Sequence, residues 1–187
     1  MKRILQADEP AFHAAYWRTR HDYDRGALNG ETYWRAVAVN LGQTLSPDDH
    51  LALLEADVTL WTQPNLPMID WAARLQAAGV RTGILSNLGD AMETGILVRC
   101  PWLLHFPHRT FSHRLGTAKP DPAIYAHAAD GLGVAPETVL FIDDREDNIA
   151  AARAAGMQAI QYGDHPGFLK AMQAAGLEHL LVPDTNG

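Results

Sequence analysis

The chain has 187 residues and a mass of 20.5 kDa, and its 47% hydrophobic and 20% charged residues are typical of a folded globular protein rather than a disordered one. Its 15 lysines and arginines stand against 22 aspartates and glutamates, a formal net charge of −7, which argues against nucleic acid as a partner because phosphate backbones attract clustered cations. The single cysteine, Cys100, excludes an internal disulfide. The sequence has no apolar run long enough to span a membrane and no signal-peptide pattern at its start. We therefore expect a cytoplasmic protein without a membrane partner.

The first 62 residues carry helical patterns and no strand pattern. Apolar spacing predicts helices over residues 10 to about 23, 31–41 and 47 to about 61. The last of these begins at Ser46, a serine N-cap followed by proline and two aspartates, which is a typical helix start. The proline-rich segment 63–67 predicts a boundary, so residues 1–63 are expected to form a helical domain.

After residue 67 the pattern changes to alternating helices and strands. The sequence predicts helices over residues 68–78, 90–98, 122–132, 146–155 and 166–175, and strands over residues 80–85, 109–113, 138–142 and 157–162. Strands separated by helices are typical of an α/β fold with a mostly parallel sheet, here expected over residues 64–187.

Polar residues stand where two of these strands end. Ser86 and Asn87 follow one strand, Asp143 and Asp144 follow another, and Lys119 lies just before a helix. In an open parallel sheet, ligands bind beyond the carboxyl ends of the strands. These five residues are therefore the candidates for chemistry.

The residue types suit a phosphate and metal site. Adjacent carboxylates attract a hard cation such as Mg²⁺, a hydroxyl donates to phosphoryl oxygens, and a lysine supplies a compact positive charge. Phosphoryl transfer needs mainly positioning and charge neutralisation, which this set provides. Simpler alternatives remain open: Ser86-Asn87 and Asp143-Asp144 are also suitable helix caps, and Lys119 is also suitable as a surface lysine.

Three segments in this order resemble motifs of the haloacid dehalogenase (HAD) superfamily, in the subfamily with a helical cap. They are Gly-Ile-Leu-Ser-Asn at 83–87, the segment from Ser112-His113 through Lys-Pro-Asp-Pro-Ala-Ile-Tyr at 119–125, and Val-Leu-Phe-Ile-Asp-Asp-Arg at 139–145 with Asn148-Ile149. Residues 64–165 match in order and spacing, and residues 1–62 resemble the cap. The resemblance implies an all-α cap over residues 1–63 and a Rossmann-like core over residues 64–187.

The resemblance also implies a role for each candidate on the phosphate side. Ser86 should donate a hydrogen bond to the transferring phosphoryl group, with Asn87 beside it. Lys119 should neutralise the phosphoryl charge and hold the nucleophile.

On the metal side, the resemblance implies that Asp144, together with Asp143, binds Mg²⁺ directly or through water. Asn148, one helical turn later, should brace the loop that carries them. The substrate would be a small phosphorylated metabolite.

The nucleophile motif of the family, an Asp-x-Asp pair that ends the first and central strand, has no counterpart in this sequence. Residues 1–9 contain too short an apolar run and no second acid at the required spacing. Asp22-Tyr23-Asp24 has the spacing, but the residues before it are polar and helical in pattern. Without the central strand, the strands ending at Ser86 and Asp144 either pair directly or leave backbone groups without partners, at about 1–3 kcal/mol for each buried group.

Three hypotheses follow. The favoured one is a Mg²⁺-dependent phosphatase that works through an aspartyl-phosphate intermediate and whose nucleophile is missing because the chain is truncated, since the remaining motifs are intact. The second is a degenerate, non-catalytic binding protein on the same fold. The third is a 2-haloacid dehalogenase, against which the Asp143-Asp144 pair argues because it would repel a carboxylate substrate.

Overall fold

The computed structural model describes residues 1–182, so residues 183–187 of the predicted second domain lie outside it. Residues 1–62 form only helices and turns, as predicted. The helices are α1 (Glu9–Arg18), α2 (Arg20–Asp24), α3 (Gly30–Asn40) and α4 (Pro47–Trp61).

From residue 66 onward, helices and strands alternate. The helices are α5 (Leu66–Ala77), α6 (Asp90–Arg99), α7 (Ser112–Leu115), α8 (Pro122–Leu132), α9 (Glu146–Ala154) and α10 (His165–Ala174). The strands are β1 (Gly83–Ser86), β2 (His108–Phe111), β3 (Leu140–Asp143) and β4 (Gln158–Gln161). Short 3₁₀ turns occupy Pro101–His105, Pro136–Thr138 and Glu178–Leu180.

The predicted helix over residues 10–23 is divided in two. The backbone leaves the helical conformation at Thr19, with φ −121° and ψ 10°, and resumes it at Arg20. Arg20 is buried and forms ion pairs with Asp24 and Asp57. The spacing of apolar residues could not reveal this break, because a buried arginine does not contribute to an apolar pattern.

Capping residues fix several helix ends at the predicted positions. The Ser46 hydroxyl accepts a hydrogen bond from the Asp49 N–H, and the Asp49 carboxylate accepts one from the Ser46 N–H, which completes a capping box. Helix α8 has the predicted bounds because Asp121 caps its first turn and Gly133 ends it in the left-handed conformation.

The strands form two separate pairs. β3 and β4 are parallel, with Leu140 opposite Gln158 and Asp143 opposite Gln161, and β1 pairs with β2. Within residues 1–182 no backbone hydrogen bonds join β1 to β3. The strands that end at Ser86 and just before Asp144 therefore do not pair directly, which was one of the two arrangements expected without a central strand.

The strand predicted over residues 109–113 is shorter at its carboxyl end than the sequence indicates. The strand ends at Phe111, and Ser112 begins the single helical turn α7, which Gly116 ends in the left-handed conformation. The Ser112 hydroxyl accepts a hydrogen bond from the Leu88 N–H at 2.9 Å. A fully buried serine at this point favours a turn over a continued strand.

The described residues divide into two compact units. The first comprises residues 1–63, 86–104 and 111–118, and its core contains the buried side chains Tyr16, Tyr23, Tyr33, Trp34 and Leu53. The second comprises residues 64–85, 105–110 and 119 onward, and its core contains Trp71, Leu75, Ile160, Phe168 and Met172. The division of function into a cap over residues 1–63 and a core over residues 64–187 stays a prediction.

None of the helices in residues 1–182 combines the length and the apolar character needed to cross a lipid bilayer.

Candidate active site

The candidate site in the second unit centres on an ion pair between Lys119 and Asp143. The Lys119 Nζ lies 2.5 Å from Asp143 Oδ2, and the two side chains are only 10% and 6% exposed. Asp143 is the last residue of β3, and Lys119 lies in the turn before α8. The sequence predicted both as site residues, and the structure brings them together.

The second carboxylate oxygen of Asp143 is also occupied. Oδ1 accepts hydrogen bonds from the Arg145 backbone N–H and from the Asn148 side-chain amide, both at 2.9 Å. Burial alone would raise the pKa of Asp143, but the Lys119 charge and these hydrogen bonds outweigh it, so the pKa lies below its usual value. Asp143 is therefore ionised at neutral pH.

Asn148 is held from two sides. It lies in the first turns of α9, is buried, and accepts a hydrogen bond at its backbone carbonyl from the Tyr125 hydroxyl at 3.0 Å. Burial, followed by the charges of Asp143 and Asp147, raises the pKa of Tyr125, so this hydroxyl keeps its proton and remains a donor. The Asn148 amide is thus fixed against Asp143, and the bracing role that the resemblance implies for Asn148 stays a prediction.

Two partners of Lys119 were not predicted from the sequence. Its ammonium group donates to the Leu85 carbonyl of β1 at 3.2 Å and lies 5.6 Å from the centre of the Phe141 ring. Every residue has a backbone carbonyl, so no residue type marks the one at Leu85 as an acceptor. Only the placement of Lys119 beside the end of β1 reveals it.

Ser86, Asn87 and Asp144 stand where the sequence placed them, at strand ends. Ser86 is the half-buried last residue of β1, and Asn87 follows it. Asp144 follows β3 and is exposed, and its backbone carbonyl accepts a hydrogen bond from the Gln161 side chain at 2.9 Å. The functions of all three stay predictions.

The residues fit a magnesium ion only in part. Asp144 offers an exposed carboxylate, which is a suitable oxygen ligand. Asp143 does not, because Lys119 and two N–H donors already occupy its oxygens. In residues 1–182 no group of three or more His, Cys, Asp or Glu side chains is placed to hold a metal ion.

The Asp22-Tyr23-Asp24 sequence does not form a strand end. It lies in α2, as its polar, helical context predicted. Asp24 accepts a hydrogen bond from Arg20 at 2.9 Å, and Asp22 pairs with Arg25 at 3.0 Å. Both carboxylates therefore have local helical partners.

Comparison with known families decides the classification. The profile of the haloacid dehalogenase-like hydrolases matches residues 2–156, most of the chain. The chain belongs to this family. The α/β HAD fold that the motifs predicted is thereby confirmed.

The rat bifunctional epoxide hydrolase 2 is 34% identical to this chain over 113 residues, which is 58% of this chain and 20% of that protein. A phosphoglycolate phosphatase from Nitrosococcus oceani is 33% identical over 97 residues, or 51% of this chain and 43% of the phosphatase. The chain thus spans a fifth to less than half of the length of these relatives.

A solved HAD family enzyme from Bacteroides thetaiotaomicron superimposes with a TM-score of 0.70 at 17% identity, covering 91% of this chain and 86% of that one. The same enzyme in complex with magnesium and inorganic phosphate gives a TM-score of 0.62 at 16% identity, covering 83% and 87%. At this level of identity the likeness shows the HAD fold.

Proposed function

We propose that this chain carries part of the active site of a phosphatase for small phosphorylated metabolites, and that the nucleophilic aspartate comes from a strand that these 187 residues do not contain. The observation that carries the proposal is the buried Lys119–Asp143 pair, located where β3 ends and within hydrogen-bonding distance of the end of β1. A desolvated ammonium group at strand ends suits a phosphoryl group, because its charge is little screened by water there.

In the proposed reaction Lys119 neutralises the charge of the phosphoryl group, and Asp143 keeps the ammonium group in place. Asn148 fixes Asp143 through the amide contact at 2.9 Å. Ser86 and Asn87 donate hydrogen bonds to phosphoryl oxygens, a role supported by the motif resemblance. Phosphatases among the relatives support the substrate class.

The bond changes follow from a carboxylate nucleophile. An aspartate oxygen bonds to phosphorus while the ester P–O bond breaks, and the leaving alkoxide takes a proton from the second aspartate of the missing Asp-x-Asp pair, which regains a proton from the attacking water in the next step. Water then attacks the aspartyl phosphate, which returns the carboxylate and releases inorganic phosphate.

Magnesium is part of the proposal because of the family resemblance and the solved relative that holds magnesium and phosphate. In this chain Asp144 is the carboxylate that fits such an ion, whereas Asp143 is committed to Lys119, and no step above passes through the metal. A cytoplasmic location also belongs to the proposal.

The test compares hydrolysis of p-nitrophenyl phosphate, with Mg²⁺ present, by two proteins: the 187-residue chain and a version extended by an apolar strand ending in Asp-x-Asp. We expect turnover only from the extended protein. Lys119→Met should abolish that turnover, whereas Lys170→Met, which removes an equal charge from an exposed position in α10, should leave it intact. An extended protein that folds and shows no turnover refutes the phosphatase proposal.

A non-catalytic binding protein is the second candidate, favoured by the lack of an Asp-x-Asp pair at a strand end in the described residues. It predicts that both proteins bind inorganic phosphate and that neither hydrolyses the ester. Release of halide from a 2-haloacid would instead identify the dehalogenase alternative.

A further inference from the structure

We infer that His108 and His127, each of which turns a ring nitrogen toward the Thr110 hydroxyl, form a binding site for a zinc ion that links β2 to α8. All three residues lie in the second compact unit, and none of them takes part in the proposed phosphatase reaction. The inference therefore holds whether or not that activity exists, and its test needs no substrate.

The backbone brings the three side chains to one place. His108 and Thr110 are two residues apart in β2, so their side chains project from the same face of the strand. His127 lies on α8, one helical turn before Gly131. The His108 ring occupies the space that a Cβ on Gly131 would need, so it packs directly against the backbone of α8. The glycine thus lets the strand histidine lie close to the helix histidine.

The two imidazole rings are arranged as a pair of ligands for one ion. Nε2 of His108 lies 2.9 Å from the Thr110 Oγ1, and Nδ1 of His127 lies 3.2 Å from the same atom. The ring centres are 5.5 Å apart, and the ring planes differ by 34°. Two imidazoles on one tetrahedral zinc ion, with Zn–N bonds of about 2.0–2.1 Å, have their ring centres about 5 Å apart. A small rotation of one ring is therefore enough for both nitrogens to bind the same ion.

The protonation and the exposure of the rings favour binding. Burial, followed by the charges of His127 and Arg109, lowers the pKa of His108, so this ring is neutral at pH 7 and zinc need not displace an added proton. His127 is exposed, so its ring is free to rotate and water reaches the site from its side. Thr110 is only 1% exposed and holds both rings from the inner side. The charge of Arg109 acts against a cation, so we expect a moderate affinity.

The residue types select the class of ion. Imidazole nitrogen suits zinc, copper and nickel, whereas magnesium and calcium prefer carboxylate and carbonyl oxygen. Residues 1–182 place no group of three or more His, Cys, Asp or Glu side chains around an ion, so water completes the coordination. Zinc tolerates such a ligand set because it imposes no geometry of its own. Because closed structural zinc sites have four protein ligands, a site with two binds an exchangeable ion.

The experiment titrates Zn²⁺ into the 187-residue chain at pH 7 in competition with a chromophoric zinc chelator. Four proteins are compared: wild type, His108→Gln, His127→Gln and the control His179→Gln, which removes an exposed histidine from the same compact unit. We expect wild type and His179→Gln to bind one Zn²⁺ at least tenfold more tightly than the other two. Equal affinity of wild type and either His108→Gln or His127→Gln would overturn the inference.

A further variant keeps both histidines and changes only the position of one ring. Gly131→Ala should push the His108 ring away from α8 and weaken Zn²⁺ binding, whereas Gly163→Ala, with open space around it, should not. A thermal melt of each protein shows that it folds. Zn²⁺ should raise the melting temperature of wild type and of His179→Gln by more than that of His108→Gln or His127→Gln, because the ion binds the folded arrangement of β2 and α8.

Wild-type protein alone supplies a test that does not depend on any variant. Nitrogen NMR of the imidazole side chains distinguishes Nε2 from Nδ1 and reports which of them binds a metal. One equivalent of Zn²⁺ should shift Nε2 of His108 and Nδ1 of His127 and leave the signals of the remaining histidines in place. Zinc-dependent shifts at other histidines with none at these two would refute the inference.

Discussion

Removal of the Asp57 carboxylate should be among the most destabilising single changes in the first compact unit. Asp57 lies on α4 with no exposed side-chain surface, and it accepts hydrogen bonds from the Tyr16 hydroxyl at 2.7 Å and from Arg20 at 3.2 Å. Asp57→Ala leaves a buried guanidinium group with one partner fewer, and breaking a buried pair costs about 3–5 kcal/mol. Asp24 still pairs with Arg20, so we expect a loss near the lower end, about 3 kcal/mol.

Urea denaturation followed by circular dichroism at pH 7 measures this loss as the change in the free energy of unfolding. The matched control is Glu31→Ala, which breaks an exposed i,i+4 pair with Arg35 whose side chains are 63% and 69% exposed and should cost about 0.3–0.5 kcal/mol. If the two variants lose the same free energy, the buried pair does not contribute as argued. Replacing both partners, as in Arg20→Met/Asp57→Leu, should cost less than the sum of the two single changes.

Two further predictions concern a close contact and a half-buried histidine. Gly89→Ala should lower the free energy of unfolding by about 1–3 kcal/mol, because the added Cβ would overlap the Tyr23 ring. The control Gly163→Ala, which has open space around it, should change the free energy of unfolding by less than about 0.5 kcal/mol. Equal melting temperatures of the two variants would contradict the packing argument. Burial, a neighbouring histidine and a neighbouring arginine lower the pKa of His108, so the unfolded chain binds this proton more readily and the free energy of unfolding should fall as the pH drops below about 6.5. His108→Gln should reduce that slope and the exposed His179→Gln should not, and identical slopes in all three proteins would show that His108 does not titrate this way.

The helices could be predicted from the sequence wherever local chemistry determines both ends. Helix α8 has an aspartate cap at one end and a left-handed glycine at the other, and its bounds match the prediction. The break at Thr19 could not be predicted from local sequence. It lies next to Arg20, which is buried against Asp57, a residue 37 positions away in the chain. Contacts of that range have no local signature.

The strands show the same limit. The apolar run that begins at Val80 predicts a strand from that residue, yet β1 starts at Gly83, and Val80 is exposed. An apolar pattern records which residues avoid water, whereas the start of a ladder depends on where the partner strand begins. At the candidate site, Lys119, Asp143 and Asn148 were recognisable as residue types in a motif, and the Leu85 carbonyl was not.

Four strands in two pairs means that every described strand lies at the edge of its sheet. Each is four residues long, shorter than the usual five or six, and a two-stranded pair is marginal in water without support. Support for β4 comes from Phe168 and Met172 of α10, which pack with Ile160. Short edges of this kind also offer little backbone for another chain to join, which protects the protein against aggregation through its strands.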